Sequence, residues 1–144
     1  MRLWHRDLLP YLPNAQFRGQ LRELVAIMRD WRDKGKTNHL LINRVMEYPR
    51  EDLYGYFLAY WNEYSQRNDG ESPKFEICNE FYEFCDNFNY DFFEGWHNNE
   101  YLRVCMANLF EKHIFGIGKS RITDEEWEKL LKGYYIITGE HYVI

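Results

Sequence analysis

The stretch NAQFRGQLRELVAIMRDW, residues 14 to 31, constrains the fold more than any other part of the chain. Phe17, Leu21, Leu24, Val25 and Met28 recur at the spacing of one buried helix face. Asn14 suits an N-cap, and Asp33-Lys34-Gly35 supplies a basic last turn followed by a glycine at the C′ position. At about 100° per residue, Arg18, Arg22 and Arg29 form one polar stripe. Arg22 and Glu23 flank the pole opposite the apolar face.

Downstream the periodicity stays helical. Asn38 to Glu47 reads as a short helix with Leu40, Leu41, Val45 and Met46 inward. Glu51 to Arg67 puts Leu53, Tyr56, Phe57, Tyr60, Trp61 and Tyr64 on one face, with acids in the first turn and Arg67 in the last. Asn68-Asp69-Gly70-Glu71-Ser72-Pro73 is a loop by its turn residues. Phe75 to Phe88 then repeats the pattern, with Phe75, Cys78, Phe81, Tyr82 and Cys85 inward. Its outer carboxylates Glu76, Glu80, Glu83 and Asp86 suit a solvated face better than a metal site, because no histidine lies at a matching offset.

A Phe/Asn-rich turn over 87–95 leads into a helix from Glu100 to Phe115. Thr123 to Glu126 is a capping box, with Ile122 and Trp127 as its hydrophobic staple. That last helix is expected to stop at Gly133, leaving Tyr134 to Thr138 as an extended tail on the surface. Gly116 and Gly118 end a helix and do not form a phosphate loop. The expected fold is all-α: a single domain over 1–144, a bundle of five to six helices, with the N-terminal segment packed over the first long helix.

The composition fits that reading. The chain has 144 residues, 45% of them hydrophobic and 19% aromatic, enough for a core rich in Tyr, Phe and Trp. No stretch approaches the roughly 20 apolar residues of a membrane span. Cys78, Cys85 and Cys105 are odd in number and read as buried free thiols, which points to a reducing cytoplasm. The net charge of −5 hides an asymmetry: residues 1–50 carry 10 Lys+Arg against 5 Asp+Glu, and residues 51–144 carry 8 against 18. A basic binding face on an otherwise acidic protein has this signature.

The lead-in MRLWHRDLLPYLPNAQ is too apolar for a disordered tail and has no run of signal-peptide length. Initiator methionine is usually kept before a bulky residue such as Arg2, so Met1 is the expected amino terminus. Two readings of Arg22-Glu23 follow. One is a solvated helix surface. In the other the N-terminal segment folds back and sets Glu23 beside the α-amino group. That group has a pKa of about 7.7–8.0 and is partly a neutral nucleophile at physiological pH.

Met1-Arg2-Leu3, then Gln20-Leu21-Arg22-Glu23-Leu24, then Lys34-Gly35-Lys36, resembles the pyrimidine-dimer DNA glycosylase family, with a fainter echo from Trp96-His97 to Lys112. These are small all-helical base-excision enzymes with AP-lyase activity. The resemblance implies Met1 as an amine nucleophile that attacks sugar C1′ and forms a Schiff base. It implies Glu23 as the catalytic carboxylate, Arg2 and Arg22 as substrate contacts, and Lys36 as a phosphate contact. Ala26 stands where the family can carry a further arginine.

Arg18 and Arg29 add cations along the same helix, and His39 beside Lys36 could hold a phosphate or lie as a plain surface residue. His97 is the remaining candidate for a polar role near the site, its alternative being a cap or backbone bridge. No cofactor is expected. No metal is expected either, since none of the five histidines makes a ligand-spaced cluster with another or with a cysteine. The expected partner is damaged double-stranded DNA, with no membrane; the sequence is silent on oligomeric state. The competing reading is a non-catalytic helical module that binds nucleic acid or protein through its 1–50 surface.

Overall fold

Two packing units organise the computed structural model, which describes residues 2–35 and 43–144: residues 2–3 with 20–94, and residues 4–19 with 95–144. The described residues form five α-helices and three short 3-10 turns, with no strand among them. The all-α expectation holds. The first half of the expected helix over 38–47 lies outside the described residues; its end, Arg44–Glu47, is a 3-10 turn.

The first unit contains most of α1 (Asn14–Lys34), α2 (Arg50–Arg67) and α3 (Phe75–Phe84). Helix α1 ends as expected, with Gly35 at φ 71° and its N–H donating to the Trp31 carbonyl at 3.1 Å. Its buried face, however, is Gln20, Leu24, Ile27 and Met28, while Leu21 and Val25 are only half-buried. The helix is therefore rotated by roughly 60° from the expected stripe, which moves Glu23 from the exposed pole to the edge of the buried side.

Helix α2 is buried almost all round in its first half, from Asp52 to Phe57. Phe57 stacks on Phe81 of α3 with ring centroids 3.9 Å apart. The Asp52 carboxylate is buried and accepts from the Asn89 side chain at 2.7 Å and from the Phe93 N–H at 3.1 Å. Gly55 leaves room for the same loop, since a Cβ there would run into the Asn89 carbonyl. The loop brings the Phe92 and Phe93 rings against Tyr56, 5.7 and 6.0 Å between centroids.

Helix α3 corrects the expected face. It stops at Phe84, Cys85 is already extended, and Phe81 and Phe84 are its buried residues. Phe75 is 79% exposed and Tyr82 is exposed too. Glu80, expected on the solvated side, instead takes a bidentate bond from Arg29 at 2.7 and 2.9 Å and a longer one from Arg32. Of the three free thiols only Cys105 is fully buried; burial of Cys78 and Cys85 is partial and pushes both thiols above the ordinary range.

The second unit contains the 3-10 turn Arg6–Tyr11, the first residues of α1, α4 (Asn99–Phe115) and α5 (Asp124–Thr138). Asn98 caps α4 through a bond from the Tyr101 N–H at 3.0 Å. The capping box at Thr123 and Glu126 is present, with both staple residues buried. The expected extended tail at 134–138 is helix instead: α5 runs through Gly133 and ends at Gly139, φ 76°. Gly133 is there for space, since a Cβ would come within 2.5 Å of the Tyr11 ring. No described helix is long and apolar enough to cross a membrane.

Gly133→Ala is expected to destabilise the protein by about 1–3 kcal/mol through overpacking against Tyr11, despite alanine's better helix propensity. Urea unfolding measures it; an unchanged or raised midpoint would show that the Tyr11 ring yields freely.

Candidate active site around Glu23

The rotation of α1 places two polar side chains, Gln20 and Glu23, against the backbone of residue 2. The Arg2 N–H donates to Glu23 Oε2 at 2.8 Å. Gln20 Nε2 donates to the Arg2 carbonyl at 2.9 Å and makes a longer bond, 3.4 Å, to Glu23 Oε2. The Gln20 carbonyl oxygen accepts from the Tyr56 hydroxyl at 3.2 Å. Both polar groups of the residue-2 backbone are thus held by side chains one helical turn apart.

Burial of the Glu23 carboxyl raises its pKa above the ordinary glutamate value. The Arg2 N–H bond and the surrounding cations, Arg2 and Arg22 among them, pull it back without cancelling the burial. A carboxylate so placed takes up and releases protons more readily near neutrality than an exposed one. Glu23 Oε1 receives no hydrogen bond from a described residue.

Arg22 is exposed beside this pair and opens on a groove of about 460 Å³ lined by Leu21, Val25, Ala26, Tyr64 and Ile77, with Arg29 and Lys74 also at its wall. Arg2 is half-buried. The structure thus brings Arg2, Arg22 and Glu23 together. Met1, Lys36 and His39 lie outside the described residues. Arg18 and His97 belong to the second unit, where Arg18 is exposed.

His97 there accepts the Arg6 N–H on Nδ1 at 2.9 Å and stacks on His5, 5.2 Å between centroids, and near Tyr101. With Nδ1 occupied as an acceptor, its proton sits on Nε2. His97 thus bonds the backbone of its own unit. His5 is fully enclosed, which holds its pKa below the usual imidazole value. Among the described residues no group of three or more His, Cys, Asp or Glu side chains could hold a metal ion.

The pyrimidine dimer DNA glycosylase family model matches residues 1–76, just over half of the 144-residue chain. The chain belongs to this family. No curated protein and no solved structure gives a significant match. The matched segment contains Arg2, Gln20, Arg22, Glu23 and Tyr56, the residues that meet around the residue-2 backbone. Neither Gln20 nor Tyr56 stands out in the sequence: a glutamine on a helix and a tyrosine in an aromatic stripe carry no signal of their own. The one clue to Gln20 was its place in the Gln-Leu-Arg-Glu-Leu run.

Because the folded state holds Glu23 with a raised pKa, its ionisation costs stability once the pH exceeds the unfolded value of 4.5. Glu23→Gln is therefore expected to raise the thermal midpoint at pH 7, with the advantage vanishing below pH 4.5. A midpoint lowered at pH 7 would mean that the cations around Glu23 outweigh its burial.

Proposed function

We propose that the protein is a DNA glycosylase with AP-lyase activity on pyrimidine-dimer-type lesions, using the α-amino group of Met1 as nucleophile and Glu23 as the catalytic carboxylate. The observation that carries this reading is the 2.8 Å bond from the Arg2 N–H to Glu23. Three covalent bonds separate the nitrogen of residue 1 from that of residue 2, so the two lie about 3–4 Å apart at any torsion. A carboxylate bonded to the second nitrogen supports its pairing with the first.

In the reaction the amine nitrogen bonds to sugar C1′ as the C1′–N bond to the base breaks. The electron pair leaves on the base, which takes up a proton. Loss of an amine proton and opening of the sugar ring give the imine. Removal of a C2′ proton then expels the 3′-phosphate oxygen and nicks the strand, and water returns the amine. Glu23 stabilises the cationic sugar and moves protons, a role suited to a carboxyl with a raised pKa. Reaching C1′ in a duplex requires the helix to be opened. Arg2, Arg22, Arg18 and Lys36 supply phosphate contacts for that, with His39 beside Lys36.

Borohydride trapping on an abasic duplex tests the chemistry. The native-terminus protein is expected to give a covalent adduct, which an N-terminal extension abolishes and Glu23→Gln strongly reduces. DNA binding without any adduct would favour the non-catalytic binding module. Arg22→Ala is expected to weaken duplex binding and to lower the slope of log K against log salt by about one. An unchanged slope would take Arg22 out of the interface.

A further inference from the structure

We infer that Gln20, oriented by Tyr56, is a positioning residue for the amine chemistry: its carboxamide fixes the residue-2 backbone against Glu23 and so sets where the nucleophile stands. The inference rests on the reaction proposed above and adds two residues to it.

The donor and acceptor pattern carries the argument. Gln20 is 1% exposed, so its amide must find partners inside the protein. On one side it faces two groups that can only accept, the Arg2 carbonyl and the Glu23 carboxylate. On the other it faces the Tyr56 hydroxyl, which donates to Oε1. Reversing the amide would set its oxygen against both acceptors, so only one orientation is satisfied. Tyr56 is in turn fully buried, its ring against Phe92 and Phe93, in the loop that Asp52 holds.

A carboxylate at position 20 would keep the size and lose both donors. Gln20→Glu would place two carboxyl groups at the spacing now held by the 3.4 Å bond, so they share a proton as the pH falls. The protonated form regains one donor. Tyr56→Phe removes a single oxygen and leaves the ring packing intact.

The test pairs two measurements on the full chain, with folding of each variant checked by thermal unfolding. Exchange of the Arg2 amide proton in the free protein, read by NMR, reports the clamp without any reaction. Single-turnover borohydride trapping on an abasic duplex reports the chemistry.

Both variants are expected to exchange the Arg2 proton faster by about fivefold to tenfold, the weight of one hydrogen bond. Both are expected to trap more slowly at unchanged DNA affinity, and Gln20→Glu to recover in part at acidic pH, where Tyr56→Phe does not. Wild-type exchange and wild-type trapping with an unshifted pH profile would overturn the inference. Absence of an adduct with the wild-type protein would overturn the reaction and with it the positioning role, while the exchange rates would still show whether the clamp exists.

Discussion

A buried carboxamide with one satisfied orientation underlies the arrangement at the amino terminus. Gln20 cannot turn over, so the Arg2 carbonyl has a fixed donor, and the Arg2 N–H falls to Glu23 one turn along the same helix. A residue held at both its N–H and its C=O has little of the freedom left that residues near a chain end ordinarily keep. The constraint also explains the rotation of α1. Burying Gln20 with three partners costs little, and it brings Glu23 to the boundary between core and solvent, where a carboxyl keeps a raised pKa and remains reachable.

That rotation marks where sequence reasoning worked and where it stopped. Apolar spacing located α1, α2 and α4 to within a residue or two, because periodicity reports which stretches are helical. It misjudged the face of α1, since Leu21 and Val25 are more apolar than Gln20 and hydrogen bonding does not enter such a count. The same blindness hid Asp52, an acid in a first helical turn whose real partners lie some forty residues away. Gly133 reads as a stop because glycine usually ends helices; in the fold the Tyr11 ring needs the space. The resemblance supplied Glu23 and Arg22. Only the folded chain supplied Gln20 and Tyr56.

Charge accounting changes in the same way. Ten cations in the first fifty residues suggest a broad basic face, yet several are engaged within the first unit. Arg29 and Arg32 share Glu80, which pulls that carboxyl below its ordinary pKa, and Arg50 lies 4.6 Å over the Phe84 ring. Arg22 is exposed beside the Glu23 carboxylate, so on the proposed reading the cationic patch for DNA is narrower than the composition implies and lies around these two residues. An acidic protein can bind an anionic duplex through such a patch because screening limits the distant acids to about a Debye length, ~8–10 Å at physiological salt.

The family match ends at residue 76, but the first unit continues to Glu94. The added piece is not idle. Phe81 closes the core on Phe57, and the loop bearing Asn89, Phe92 and Phe93 hangs from Asp52 and walls in Tyr56. Tyr56 then orients Gln20. The segment beyond the matched region therefore reaches the amino terminus through three contacts, each inside one packing unit. Such a supporting shell can vary in sequence as long as it delivers one hydroxyl to one amide oxygen. Residues 77–94 thus lie outside the matched segment while still packing the core that holds the residue-2 backbone.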